Sequence, residues 1–165
     1  MSRLRDFDVL AWDLTSAVRL PTVACLILDR HEPSDSIRGA SMGYGCHLRR
    51  EVAFQRALTE AAQSRLTLIT GSRDDLGGED YEDRREHREG IAFYRALVSQ
   101  EPAVAFSSLP TYLESELDGQ VTLVLDLLRD VGVEEVAVTS LTRDDDDVSV
   151  LRVVVPQLRG PTGGH

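Results

Sequence analysis

The sequence contains no lysine: all 18 of its basic residues are arginine. That absence removes whole classes of chemistry, because a Walker A phosphate loop, a Schiff-base nucleophile and a lysine general base each need a side-chain amine. Any phosphate must be met by guanidinium groups, backbone N–H groups or a metal. Cysteine is nearly as scarce. Cys25 and Cys46 are the only two, too few for a disulfide scaffold, so free thiols in a reducing compartment are expected. Positive charge is also short: 18 arginines face 28 acidic residues, giving a formal net charge of -10 and a pI near 4.8. A chain of that sign lacks the basic face that nucleic acid requires. No apolar run approaches the roughly 18 residues of a membrane span, and the charged start "MSRLRDFD" has no apolar signal-peptide core. The expectation is a cytoplasmic protein with neither nucleic acid nor membrane as a partner.

What is present fits a globule. With 165 residues, 42% apolar and 28% charged, the chain can bury about 70% of its unfolded surface in one domain. No repeat and no linker divides it, so residues 1–165 read as a single unit. "FDVLAWDL" alternates in the strand manner, and "TVACLILD", just after Pro21, is a continuous β-prone run. "ASMGYGCH" is a short Gly-punctuated segment. An amphipathic pattern then runs from Arg49 to Thr70, stopped by Gly71 at a C′ position. Charge-dense "GGEDYEDRREHREG" (Gly77 to Gly90) reads as a solvated loop leading into a helix around "IAFYRALVSQ". A further helix is expected over "GQVTLVLDLLRDVG", then strands "VEEVAVTSL" and "VSVLRVVVP" around the acidic turn Asp144 to Asp147. The fold class is α/β: a mixed sheet, shared by the first two and last two strands, packed by the long helix.

That helix carries the candidate site. At 100° per residue, Arg49, Arg56, Glu60, Gln63 and Thr67 fall within an arc of about 60°, beside a stripe of mostly small residues at Ala53, Ala57, Ala61, Ser64 and Leu68. Small side chains let another backbone approach, so the Ala stripe is expected on the sheet with the Arg56, Glu60, Gln63 row at its edge. Such a row presents a cation, a carboxylate and an amide to one ligand. The alternative is an exposed Arg56–Glu60 pair at i,i+4, worth a few tenths of a kcal/mol. Arg65 points about 140° from Glu60 on an ideal helix and is expected to tie the helix to a neighbour. Arg73 lies just past the helix, as a helix-end contact or an anion contact. Cys46 and His47 have no second pair at zinc-ligand spacing, and packing or turn hydrogen bonds are their expected role.

The order of these pieces is similar to the YcaO superfamily. The resemblance is carried by "DLTSAVRLPTVACLILD", by "GYGCHLRREVAFQRALTEAAQSRLTLITGSRDDL", and by "VAVTSLT" followed by "VLRVVVPQL". It spans Asp13 to Leu158 and corresponds to the C-terminal half of a YcaO-type domain. The resemblance implies ATP- and Mg²⁺-dependent phosphorylation of a peptide amide oxygen, followed by azoline or thioamide formation. It implies Glu60 as the metal ligand, with Glu60, Gln63 and Arg152 as nucleotide contacts, and Arg56, from its place in the row, and Arg73, as an anion contact, join them as candidates. Arg152 matches the arginine of the family's last strand, where a guanidinium fork suits phosphate oxygens. The family's other ligands lie in an N-terminal half that this chain does not supply. The "ITGSRDDL" wording resembles members found beside TfuA-like proteins and associated with thioamides. The expected partners are a peptide or protein substrate, an N-terminal-half chain or TfuA-like protein, and a second copy in a homodimer or hetero-oligomer. A different class of function is a non-catalytic remnant that keeps the fold and binds a peptide or partner protein.

Overall fold

The computed structural model describes residues 2–3, 6–31, 39–71, 81–98, 100–101, 103–142 and 147–158. They fall into two compact units, 1–114 and 115–165.

In the first unit the strands are β1 (Ser2–Arg3), β2 (Phe7–Asp13), β3 (Thr22–Asp29) and β4 (Ala40–Cys46). They form one antiparallel sheet in the order β1-β2-β3-β4. The β-branched run of β3 earns the central place: all but its first residue are buried, as expected of a strand covered on both faces. Helix α1 (Arg50–Gly71) lies on one face and α2 (Tyr81–Leu97) contributes to the other. Val9, Val23, Cys25 and Ile27 pack beneath α1. Leu10, Leu26 and Leu28 pack with Trp12, Met42, Tyr94 and Leu97 on the opposite side.

The segment "ASMGYGC", read from sequence only as Gly-punctuated, is the edge strand β4. Its glycines are there for close approach rather than for a turn. A Cβ on Gly43 would sit 2.2 Å from Ala61 N and 2.4 Å from Ala57 O, and one on Gly45 would sit 2.0 Å from Ala53 O. Ala53, Ala57 and Ala61 are fully buried, so the Ala stripe packs on the sheet as its periodicity predicts. Small residues on both partners let helix and strand backbones touch.

One expectation for the middle of the chain changes. Tyr81 to Gly90 is helical, not a loop. Arginine and glutamate are good helix formers, and their summed propensity over this stretch outweighs the roughly 1 kcal/mol cost of one interior glycine. Residues 72–80, and with them Arg73, lie outside the described residues.

The second unit holds α3 (Leu117–Asp130), β5 (Ala137–Ser140) and β6 (Leu151–Val154). Gly132, at φ +82°, ends α3: its N–H donates to Arg129 O and the Val133 N–H to Leu128 O, the double bond of a Schellman stop. Leu128 and Val133 are buried beside that turn. The last two strands do not join the first two. They pair with each other, Val138 opposite Val153 and Thr139 opposite Arg152, in a separate two-stranded sheet. The link between them is short, and closing a short loop costs less entropy than reaching a strand a hundred residues away. Of the acidic turn between them, only Asp147 is among the described residues.

Candidate functional site

The outer flank of α1 and the free edge of β4 border a groove of ≈550 Å³, lined by Tyr44, Val52, Gln55, Arg56, Thr59, Glu60 and Gln63. The structure therefore brings together three of the five residues expected from sequence: Arg56, Glu60 and Gln63. Arg152 stands in the second unit on β6, exposed and opposite Thr139. Arg73 lies outside the described residues.

Two hydrogen bonds fix the row. His47 N–H donates to Pro21 O, in a register that sets Cys46 opposite Thr22. Odd-numbered residues of β4 therefore pair with β3, and the even-numbered ones turn their main-chain groups to the free edge. Glu60 Oε2 accepts the outward Tyr44 N–H at 2.6 Å, and Arg56 donates to the outward Cys46 O at 3.2 Å. Arg56 and Glu60 do not pair with each other, because each is engaged by the strand edge instead. The glycine contacts described above make this possible, since they bring the helix close enough for two short bonds.

Glu60 keeps Oε1 without a hydrogen bond among the described residues, and Gln63 and Arg56 line the same groove. A hard dication takes carboxylate oxygen, and its remaining positions are commonly filled by water and phosphate oxygens. Guanidinium and amide N–H groups suit phosphate oxygens. The donor set therefore fits one side of a metal–phosphate group, with one carboxylate rather than a full cage.

The surroundings are structural. Arg65 reaches Asp29 at 2.5 Å and lies over the Phe7 ring, tying α1 to β3 as its angle on the helix implies. Arg50 donates to Ser107 O and Leu109 O, anchoring the helix start. Glu51 in the first turn is held below the usual carboxylate range by its own backbone N–H and by Arg50 and Arg49 beside it. His47 Nδ1 accepts the Arg49 N–H, a turn bond of the kind expected for it.

Sequence reasoning passed over Tyr44, Val52, Gln55 and Thr59. The helical three were visible: positions 52, 55, 56, 59, 60 and 63 follow the i, i+3, i+4, i+7 rule of one stripe. Tyr44 enters through its main-chain N–H, which no side-chain pattern signals.

Comparison with known proteins follows the same lines. The family model described as YcaO cyclodehydratase, ATP- and Mg²⁺-binding, matches residues 1–159. A protein of Methanothermobacter thermautotrophicus is 34% identical over 152 residues, 92% of this chain and 39% of its own. One of Rhizobium leguminosarum bv. trifolii, described as lying in the tfuA 3′ region, is 29% identical over 161 residues, 95% of this chain and 38% of its own. The chain thus spans about two fifths of the length of these relatives. Among solved structures, a heterocyclase in complex with substrate and cofactor superposes with TM-score 0.70 at 24% identity, covering 93% of this chain and 20% of that one. The YcaO protein of Methanopyrus kandleri bound with AMPPCP and Mg²⁺ superposes with TM-score 0.64 at 22% identity, covering 90% and 38%. At those identities the likeness is one of fold.

Proposed function

The chain belongs to the YcaO family, and from that premise we propose that it contributes one part of a site for ATP-dependent activation of peptide backbone amides. The observation that carries this reading is the pinned row on α1: Glu60 held by Tyr44 N–H and Arg56 by Cys46 O, side by side on one groove with Gln63. In this reading Glu60 holds Mg²⁺ through Oε1, and Arg56 and Gln63 meet phosphate oxygens. Arg152 and Arg73 supply further guanidinium contacts. When bound, ATP supplies the phosphoryl group that makes an amide oxygen a leaving group. The chain's own residues orient the phosphates and hold the metal; the remaining ligands come from polypeptide outside these 165 residues, as the relatives' greater length supports.

The product class follows the partner. The name of the Rhizobium relative refers to tfuA, which supports a TfuA-like partner and the thioamide branch over azoline formation. No helix among the described residues is long and apolar enough to cross a membrane; the assigned setting is cytoplasmic, with a peptide or protein as substrate.

Titration calorimetry tests the reading. Each missing charged contact removes about 1.5 to 3 kcal/mol, or roughly ten- to a hundredfold in affinity, so the 165-residue chain is expected to bind Mg-ATP weakly or not at all. Supplying the part of the Methanothermobacter relative outside the match is expected to raise affinity, and Glu60→Ala to abolish the gain. Tight binding by the chain alone would sink the claim of a shared site, and a gain indifferent to Glu60→Ala would sink the role of Glu60.

A further inference from the structure

The hairpin that carries Arg152 is fastened at both ends by side chains. Leu141 N–H donates to Val150 O at 2.8 Å, so the hydrogen-bonded pairs of this antiparallel ladder fall on odd residues of β5 and even residues of β6, Thr139 with Arg152 and Ala137 with Val154 among them. On the loop side Thr142 takes over: its Oγ1 accepts the Val150 N–H at 2.8 Å and donates to Val150 O at 3.3 Å. At the other end the next hydrogen-bonded rung would fall on Glu135 and Pro156. Proline has no N–H to give, and the strand stops at Val154.

Gln157 fills that gap. Val155 O accepts the Leu158 N–H at 3.1 Å, closing a turn with Pro156 at its second position, where a fixed φ suits it. Gln157 comes third in the turn, and its side chain reaches back to the segment that leads into β5. Its Oε1 accepts the Glu134 N–H at 2.9 Å and its Nε2 donates to Gly132 O at 3.3 Å. The hairpin's register, continued past Ala137 and Val154, sets Glu134 opposite Gln157. The carboxamide therefore stands in for a backbone peptide group and uses one donor and one acceptor as that group does. Gly132 is also where α3 ends, and Val133, between the two bonds, is buried. One side chain thus fastens the exit of β6 to the stop of α3.

We propose that Gln157 is a positioning residue for Arg152: by closing the base of the hairpin on α3, it fixes the direction in which the guanidinium is presented. This deepens the function proposed above and rests on it for the phosphate that Arg152 meets. The Arg152 side chain is exposed on β6 and has no hydrogen bond or ion pair among the described residues to orient it, so its direction is set by the strand that carries it. A guanidinium fork is specific in geometry as well as charge, and a strand ordered beforehand removes an ordering cost from binding. Both bonds of Gln157 are solvent-exposed, so the expected effect is a few-fold change rather than loss of the contact. Gln157 touches no ligand; it acts through Arg152.

Two measurements on Gln157→Met, which keeps the side chain's length and loses both bonds, test the proposal. In the 165-residue chain without nucleotide, hydrogen exchange of the Glu134 and Val154 amides is expected to quicken at least about threefold while the amides of α1 stay as they were. Unchanged exchange would show that other contacts hold the base of the hairpin, and overturns the proposal. In the chain complemented with the part of the Methanothermobacter relative outside the match, the variant is expected to weaken Mg-ATP binding about three- to tenfold. Combined with Arg152→Ala it is expected to cost nothing further, as two changes that act through one contact require. Equal losses in the presence and absence of Arg152 would reduce Gln157 to general stability and overturn the positioning role, as would full affinity beside a loosened hairpin. Failure of the unmodified complemented protein to bind Mg-ATP would instead strike the function proposed above and the aim of Arg152 with it, while the exchange result judges the fastening by itself.

Discussion

In the first unit Ala53, Ala57 and Ala61 are wholly buried against β4, and Cys25 beneath them is equally sealed. In the second, every residue of β5 and β6 is exposed, with Val138, Leu151 and Val153 each near 60%. Both regions are rich in apolar side chains; they differ in what the opposing surface offers. Gly43 and Gly45 let a helix settle on backbone, so three methyl groups suffice to close that layer. The hairpin has Val138 and Leu151 on one face with Val153 and no layer over them among the described residues. The first unit closes the layer between helix and strand and carries the Glu60 groove at its edge. The second leaves the apolar side chains of its hairpin exposed.

The comparison breaks most easily at Gly45. A Cβ there would stand 2.0 Å from Ala53 O and 2.6 Å from Ala57 N, both backbone atoms that cannot swing away. Gly45→Ala is expected to cost about 3 kcal/mol, at the upper end of overpacking penalties, read as an earlier urea transition in the fluorescence of Trp12, the sole tryptophan. Hydrogen exchange in α3 is expected to stay as it was. An unmoved transition would mean that the backbone contact is slack and does not place Glu60.

Arg65→Met sharpens the same contrast less severely. Its partner Asp29 is 12% exposed at the side chain and Arg65 itself 15%. Removing one member of a pair this buried leaves a charge without its counter-ion, at a cost of about 2 kcal/mol after allowance for residual solvent. The loss should appear in the Trp12 transition alone. A neutral result would show that the tie between α1 and β3 is redundant with the glycine contact.

These two sites also mark what could be seen before the structure. Ala53, Ala57 and Ala61 recur with helical period, so the buried stripe, the edge row beside it and the outward angle of Arg65 follow from geometry alone. β2 and β3 were equally visible through alternation and a β-branched run. The role of Gly43 and Gly45 was not, because two glycines signal a turn as readily as a close approach, and only the helix above distinguishes them. The pairing of β5 with β6 instead of with the first sheet is a choice between two surfaces of similar composition, which periodicity cannot make. The Tyr44 N–H was hidden for a simpler reason: every residue has one.

The thiols give a gentler test. Burial pushes the Cys25 thiol up from 9.0 to about 11, while Cys46 is exposed. Ellman's reagent is expected to modify one thiol in the native chain and two after unfolding. The pH dependence carries a sign. A folded value above the unfolded one means the native state holds its proton longer, so this group leaves stability unchanged below about pH 9 and lowers it as pH climbs from there to 11. Native labelling of both thiols would show that the layer under α1 opens.

The smallest structural effect is expected at Arg152, and it separates the two regions most cleanly. The side chain is exposed on β6 and makes no hydrogen bond or ion pair among the described residues. Substitutions at such positions fall within about 0.5 kcal/mol, so Arg152→Ala should leave both unfolding and hydrogen exchange where they were. If the exposed hairpin is an arm that carries a guanidinium to phosphate, the same change should lower Mg-ATP affinity of the complemented protein by roughly ten- to a hundredfold, the loss of one charge-assisted contact. Arg152→Lys separates charge from geometry: an ammonium keeps the charge and loses the planar fork, so it should recover only part of the affinity. Full recovery by lysine would reduce the contact to bulk electrostatics. A large drop in stability would instead place Arg152 inside a fold interface, and the second unit would then owe its exposed hairpin to something other than a ligand.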